Sequence, residues 1–460
     1  MSFARYPNYK DSGVEWLGEV PGHWETLPLS RTASKTESLF IDGDWIESKD
    51  LSDDGIRYLT SGNVGDGYYK EQGQGYISEE TFTALNCVEV IPGDVLISRL
   101  NLPIGRSCLV PDLGGRIVTC VDNVIVRPDT DFDRRFFVYQ LTSKSHFANM
   151  ENLARGTTMP RISRSVLGRV RFAFPPLFEQ TQIAAFLDRE TEKIDGLVAE
   201  QRRLMALLKE KRQAVISHAV TRGLNPDAPM KPSGIEWLGD VPEHWDVLKG
   251  TMIGTLFGSE QVPEDAVLDE GDLPFIKVGS LSRDSFEIES WDYFVTKSEA
   301  VNYRPRSGYI VFPKRGAAIF TNKVNIVDRP SLIDPNLMGW QIGERAVTGF
   351  IAYALKCRKL DELADVSTVP QINNKHIAPE RFGVPPIEEQ HRIVAYLNAE
   401  SAKFDTLTLE TQHAIDLLQE RRTALISAAV TGQIDVRDVQ TDVPPARDSK
   451  PQSAVRSART

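Results

Sequence analysis

Pro175-Pro176-Leu177-Phe178-Glu179-Gln180 and, 210 positions later, Pro385-Pro386-Ile387-Glu388-Glu389-Gln390 open two copies of one segment. The copies close on Ile216-Ser217-His218-Ala219-Val220-Thr221 and Ile426-Ser427-Ala428-Ala429-Val430-Thr431, with no gap between start and finish. Each reads as one long helix. Paired prolines suit a helix start, and Glu179 suits its positive first turn. Leu187, Ile194, Leu208 and Val215 fall on one heptad position with Gln201 between them. Leu197 and Leu204 fall on a second seam position. The second copy offers Leu397, Phe404, Leu418 and Leu425, with Thr411 at the place of Gln201, and Leu407 and Ala414 beside them. Gly223 and Gly432 stand just past the ends, where helices commonly stop.

Two heptad helices must hide their seams. The simplest solution is to pack on each other, and the alternative is a seam that joins two chains. Helix one leads from the first intervening segment to the second, and helix two starts at the second, so the pair is expected to be antiparallel. At about 1.5 Å per residue each helix is roughly 65–70 Å long. An antiparallel pair of near-copies has a pseudo-two-fold axis, and its two ends present equivalent surfaces to a partner. Gln201 and Thr411 either set the register or are tolerated in the seam.

A second repeat precedes each half. Ser12-Gly13-Val14-Glu15-Trp16-Leu17-Gly18 matches Ser233-Gly234-Ile235-Glu236-Trp237-Leu238-Gly239, and both run on to a Val-Pro-x-His-Trp at 20–24 and 241–245. His23 and His244 read as packed or capping imidazoles at this repeated turn. The inserts between these frames barely match. Short β-like runs, Gly-rich turns and a few helical pieces make them α+β. Gly93–Arg99 resembles Gly308–Lys314, a strand leaving a tight turn, although Tyr309 replaces Asp94. Thr157–Ile162 resembles Ser367–Ile372. Past Val436 the chain is rich in Pro, Ser, Asp and Arg, a composition expected to be disordered.

The bulk composition is ordinary, 41% hydrophobic and 25% charged, and the length prior is about three domains. No apolar run approaches the roughly 20 residues of a membrane span, and the N-terminus lacks a secretory pattern. Cys87, Cys108, Cys120 and Cys357 have no paired spacing and read as free thiols of a cytoplasmic protein. A net charge of −11 argues against a general polyanion binder but leaves room for local basic loops.

Catalytic signatures are missing: no phosphate-binding loop, nucleophile elbow or zinc helix occurs. No amine-methylation motif is present; Asp334-Pro335-Asn336-Leu337 is the nearest string. Glu47-Ser48-Lys49 has the acid-x-Lys form of some nucleases without a convincing upstream Pro-Asp partner. A binding subunit with no cofactor or metal of its own is the simplest reading. The insert loops supply the residue types that grip phosphates and read base edges. In the first insert these are Thr60, Ser61, Asn63, Arg99, Asn101, Arg106, Arg155, Thr157 and Arg161. In the second they are Lys277, Ser280, Arg283, Lys314, Arg315, Asn322, Lys323, Gln371, Asn373, Asn374 and Lys375.

The duplicated frame resembles the specificity (S) subunit of type I restriction–modification systems. The residues that carry the resemblance are the two Pro-Pro-x-x-Glu-Gln starts with Ile183 and Leu187, or Ile393 and Leu397. The Ala-Val-Thr helix ends, the Trp-Leu-Gly and Val-Pro-x-His-Trp openings, and the Gly93 and Gly308 strands also match. The resemblance implies an α+β chain in which two α/β target-recognition domains are separated by two long antiparallel coiled-coil helices. Its segments would be residues 1–174, 175–224, 225–384 and 385–432, with 433–460 as a tail. It also implies double-stranded DNA as ligand, each insert reading one half of a bipartite asymmetric site. Two modification (M) subunits would carry S-adenosylmethionine, and restriction (R) subunits would use ATP and Mg. The alternatives are a cryptic nuclease or self-contained methyltransferase, and a coiled-coil scaffold that binds protein.

Overall fold

The computed structural model describes residues 3–439 except 74, 157, 261 and 366–368, and leaves the side chain of Lys297 undescribed. The chain divides into two compact units, residues 1–201 with 413–460, and residues 202–412. Two long helices, Leu177–Arg222 and Ile387–Val430, contribute a part to each unit.

In the first unit an antiparallel sheet has the strand order Leu39–Asp42, Asn123–Arg127, Val95–Ser98, Ser107–Leu109. A second sheet has the order Ile117–Thr119, Ile56–Leu59, Tyr76–Ile77, Leu51–Ser52, with its first pair parallel. Helices Arg134–Leu141 and Lys144–Leu153 follow, and Arg171–Phe174 pairs back on Glu25–Pro28. The second unit repeats this topology from unlike residues. Its first sheet runs Gly254–Phe257, Leu337–Ile342, Tyr309–Pro313, Asn325–Val327. Its second runs Leu332–Ile333, Leu273–Ile276, Phe294–Val295, Val267–Leu268, again with the first pair parallel. Arg381–Val384 pairs with Asp246–Lys249 as the closing strand.

The matched strands start alike and are stabilised differently. Gly93 and Gly308 both take positive φ, 87° and 72°. Asp94 is buried and accepts two hydrogen bonds from Arg127, at 2.8 and 2.7 Å. Tyr309 at the same place instead packs edge-on to Phe257 and shares a 2.9 Å hydrogen bond with Ser331.

The repeated strings work inside each unit. Glu179 accepts from Tyr6 Oη at 2.6 Å and Trp24 Nε1 at 3.0 Å, and its other oxygen lies 2.7 Å from His23 Nε2. Glu389 holds Trp245 Nε1 at 3.2 Å and His244 Nε2 at 2.7 Å. Gln180 accepts from the Asp133 amide at 2.9 Å and donates to Pro175 O at 2.8 Å. Gln390 does the same with the Val347 amide at 2.6 Å and Pro385 O at 2.8 Å. The Glu of Pro-Pro-x-x-Glu-Gln thus fastens the His-Trp opening, and the Gln satisfies the first amide of the helical part of the insert. Tyr139 donates to Asp188 at 2.8 Å and Tyr353 to Asn398 at 2.9 Å, one helical level further along.

Within each unit the long-helix segments run in opposite directions. In the first, Glu179 holds Trp24, against which Gly432 packs, while Arg422 meets Asp195 at 3.0 Å. In the second, a Cβ on Gly223 would stand 3.2 Å from Glu389, while Arg212 meets Asp405 at 2.5 Å. The two ion pairs are the same pair repeated at the 210-residue offset.

Part of the expected seam is corrected. Leu187, Ile194, Leu397 and Phe404 are buried, and Leu208, Val215, Leu418 and Leu425 are half-buried. Leu197, Leu204 and Leu407 are instead 52%, 43% and 44% exposed. The second seam position lies four residues after the first, not three: Thr191, Val198 and Ala219 in one helix, Ser401, Ile415 and Ala429 in the other are buried there. Alternating four- and three-residue steps keep one stripe inward, and leucines three residues on fall on its flank.

The expected tail also begins later than residue 433. The Asp435 amide donates to Ala4 O at 2.8 Å, and Val436 joins the first unit's core. The remaining tail, 440–460, lies outside the described residues. No helix among the described residues is long and apolar enough to cross a membrane.

Candidate nucleic-acid interface

Each insert builds the same crossing of two loops. In the first unit the chain leaving Val95–Ser98 pairs with the chain before helix Arg164–Arg169, through the bridges Leu100↔Arg161 and Arg155↔Arg161. The Ile162 amide donates to Arg99 O at 3.1 Å, and the Asn101 amide to Pro160 O at 3.2 Å. In the second unit the chain leaving Tyr309–Pro313 makes Arg315↔Gln371 and Asp365↔Gln371. There the Ile372 amide donates to Lys314 O and the Gly316 amide to Pro370 O, both at 2.9 Å. The described parts of the two short sequence matches in the inserts meet at this crossing.

The crossing brings Arg99, Asn101, Arg155 and Arg161 together in the first unit, and Thr157 falls outside the described residues. Arg106 ties the Thr60–Asn63 turn to it. Its Nη2 donates to Ser61 O at 3.1 Å, Nε to Val64 O at 2.9 Å, and Nη1 to Asn101 O at 3.2 Å and Pro103 O at 3.3 Å. Burial lowers the Arg106 pKa. Thr60, Asn101, Arg155 and Arg161 present exposed side chains, and Arg161 also meets Asp122 at 3.0 Å. An open cleft of about 530 Å³ is lined by Arg99, Arg155, Arg161, Leu100, Gly156, Met159 and Ser163.

Three expected contact residues in this unit are occupied by the protein itself. Arg99 is buried, donating to Ile162 O at 3.2 Å and Val121 O at 2.5 Å, with Asp42 3.2 Å from its Nε. Asn63 is buried and bonds the Thr60 amide, Lys70 O and Gln72 O at 2.9, 3.0 and 2.9 Å. Arg106 has every nitrogen on a backbone carbonyl. These side chains hold the loops in shape.

In the second unit the crossing gathers Lys314, Arg315, Gln371, Asn373, Asn374 and Lys375. Arg315, Asn373, Asn374 and Lys375 are exposed, and Lys375 lies 3.9 Å from Asp365. Two further residues prove structural. Asn322, at φ 51°, donates to Lys356 O at 2.8 Å and accepts from the Leu360 amide at 3.0 Å. Ser280 is buried and caps its own turn from the Lys277 amide at 3.3 Å. Lys277 lies over the Tyr293 ring at 3.9 Å, Lys323 is half-buried, and Arg283 is exposed while its carbonyl accepts from Lys356 Nζ at 2.7 Å. Burial and the neighbouring Arg212 push the Lys356 pKa down to about 8.

Sequence reasoning missed Arg164, which lies 3.6 Å from Asp42 and is part-exposed beside the cleft. Its signal was the cation spacing Arg161-Ile162-Ser163-Arg164. The Glu47-Ser48-Lys49 string is a surface turn in which Glu47 and Lys49 pair with each other at 2.6 Å. Among the described residues no cluster of three His, Cys, Asp or Glu is placed to hold a metal.

Residues 36–202 match the family model described as the type I restriction modification DNA specificity domain. The specificity subunit named for the type I restriction enzyme MjaX of Methanocaldococcus jannaschii is 20% identical over 95% of this chain and 99% of its own. The EcoDI specificity subunit of Escherichia coli is 21% identical over 65% of this chain and 70% of its own. A chain solved in work on complex assembly and conformational transition of the type I R-M system matches with a TM-score of 0.69 at 16% identity. It covers 89% of this chain and 98% of that one. The HsdS subunit from Thermoanaerobacter tengcongensis matches with a TM-score of 0.51 at 16% identity, covering 90% of this chain and 98% of its own. Residues 36–202 thus match a type I restriction modification DNA specificity domain, and the chain as a whole is similar to type I restriction enzyme specificity subunits and shares their mixed α and β fold.

Proposed function

We propose that this chain reads DNA for a type I restriction–modification complex, each insert recognising one half of a bipartite asymmetric site. The observation that carries this reading is one loop crossing built twice with different side chains on a duplicated frame. Asp365 stands at the backbone place of Arg155, and Gln371 at that of Arg161. Arg suits guanine or phosphate, Gln suits adenine, and Asp accepts from cytosine. Unlike side chains at like places favour unlike half-sites.

The two long helices then act as a ruler related by a pseudo-two-fold, docking one modification subunit at each end. Exposed leucines recur at the 210-residue offset: Leu197 with Leu407, and Leu207 with Leu417. They lie toward the middle of the two helices and repeat the same apolar residues in each half. Catalysis belongs to the partners in this reading, with S-adenosylmethionine on the modification subunits and ATP and Mg on the restriction subunits. The complex works in the cytoplasm.

Equilibrium binding by the chain with its modification subunits tests the proposal. Arg155→Ala with Arg161→Ala, and separately Lys314→Ala with Arg315→Ala, should each weaken binding. The salt slope should fall by about 0.9 for each phosphate that the variant no longer neutralises. Unchanged affinity and slope in both variants would refute DNA reading by the crossings. S-adenosylmethionine binding or Mg-dependent cutting by the chain alone would favour an enzyme.

A further inference from the structure

Both crossings expose large apolar side chains that phosphate grip does not explain. Leu102 and Met159 in the first unit are 58% and 57% exposed, and Phe320 in the second is 53% exposed. Leu102 and Phe320 sit on well-tied backbone. Arg106 donates to the carbonyls of Leu100, Asn101 and Pro103, so the turn bearing Leu102 is fixed from beneath. Met159 walls the cleft between Arg155 and Arg161. Phe320 lies in the turn Ala317–Thr321, just before Asn322, whose carboxamide is bonded on both sides. Polar groups interleave with them: exposed Asn101 beside Leu102, exposed Arg161 two residues after Met159, and half-buried Lys323 three after Phe320.

We propose that Leu102 and Met159 in the first unit, and Phe320 in the second, read thymine by contact with its 5-methyl group in the major groove. This rests on the DNA-reading function proposed above. The major-groove edge of an A·T pair sets a hydrophobic methyl beside hydrogen-bonding atoms. A rigid apolar tip next to a carboxamide or cation complements that alternation. The same side chains could serve as wedges, but a wedge needs the duplex to unstack and bend. Methyl contact needs only the undistorted groove. Each half-site should therefore contain at least one thymine whose methyl group matters.

The test uses the chain assembled with its modification subunits and duplexes carrying its site. Thymines are replaced one at a time by deoxyuridine, which removes only the methyl group. Affinity should fall about fourfold at one or more positions in each half, the worth of one buried methyl. Leu102→Ala or Met159→Ala should abolish the sensitivity at its own position in one half, and Phe320→Ala in the other. Tolerance of deoxyuridine throughout by the unaltered chain, or equal losses in the variants, overturns the proposal. A rise in 2-aminopurine fluorescence with deoxyuridine tolerance overturns it in favour of a wedge. An unaltered complex that shows no sequence-dependent binding refutes DNA reading itself, and methyl reading with it.

Discussion

Glu179 and Glu389 each hold an insert opening to its helix with a single carboxylate. Glu179 is buried under Tyr6, His23 and Trp24, and burial followed by the hydrogen bond to Glu179 pushes the Tyr6 pKa upward. Glu179→Gln keeps the shape but gives up charge-assisted bonds, which contribute roughly 1.5–3 kcal/mol each. Denaturant melts followed by tryptophan fluorescence should show the first unit losing stability on that order, with Glu389→Gln acting on the second. His146 makes a second prediction. It is fully buried against Phe172 and Gly105, and burial pushes its pKa down to about 4 from 6.5. The unfolded chain therefore binds the proton first, and stability is lost as pH falls from about 6.5 toward 4. Melting between pH 7.5 and 5 should show a loss of about 2 kcal/mol, flattened in His146→Leu. Residue identity made the contact candidates legible, but burial did not. Arg99, Arg106 and Asn63 sit in Gly-rich polar loops just as Arg155 and Arg161 do. Only the backbone carbonyls around them, brought in from distant segments, decide that they are internal.

The heptad helices were legible from periodicity at the scale of the element, and their faces only in part. Beyond Ile194 both the third and the fourth residue, Leu197 and Val198, are apolar, so spacing alone does not choose the seam. Packing chooses the stripe through Thr191, Val198 and Ala219 and leaves Leu197 and Leu204 exposed. The common topology of the inserts was hidden for another reason. Several of their strands are two to four residues long, too short to show alternation, and their stabilising pairs differ, as Asp94–Arg127 and Tyr309–Ser331 do. The twin ion pairs Arg422–Asp195 and Arg212–Asp405 are exposed on their acidic side. A double-mutant cycle on either should give a coupling of only about 0.2–1 kcal/mol. A coupling well above that would mean the pair is a main fastening of the helices rather than a register mark.

For the whole molecule the ruler reading makes a geometric prediction. One heptad inserted in each long helix, between Gln201 and Gln213 and at the facing level of the other, should change the preferred spacer. Both half-sites should stay as they were, since neither crossing is touched. A changed half-site with an unchanged spacer would contradict the ruler. Still more direct is single-molecule methylome sequencing of cells that express the chain with its modification subunits. A parallel culture carries residues 246–384 replaced by an unrelated insert of the same topology. The original chain should direct methylation to one motif with two unlike halves around an unspecified spacer, and the replacement should alter one half alone. A continuous or palindromic motif, or a replacement that changes both halves, would contradict the claim that each insert reads its own half.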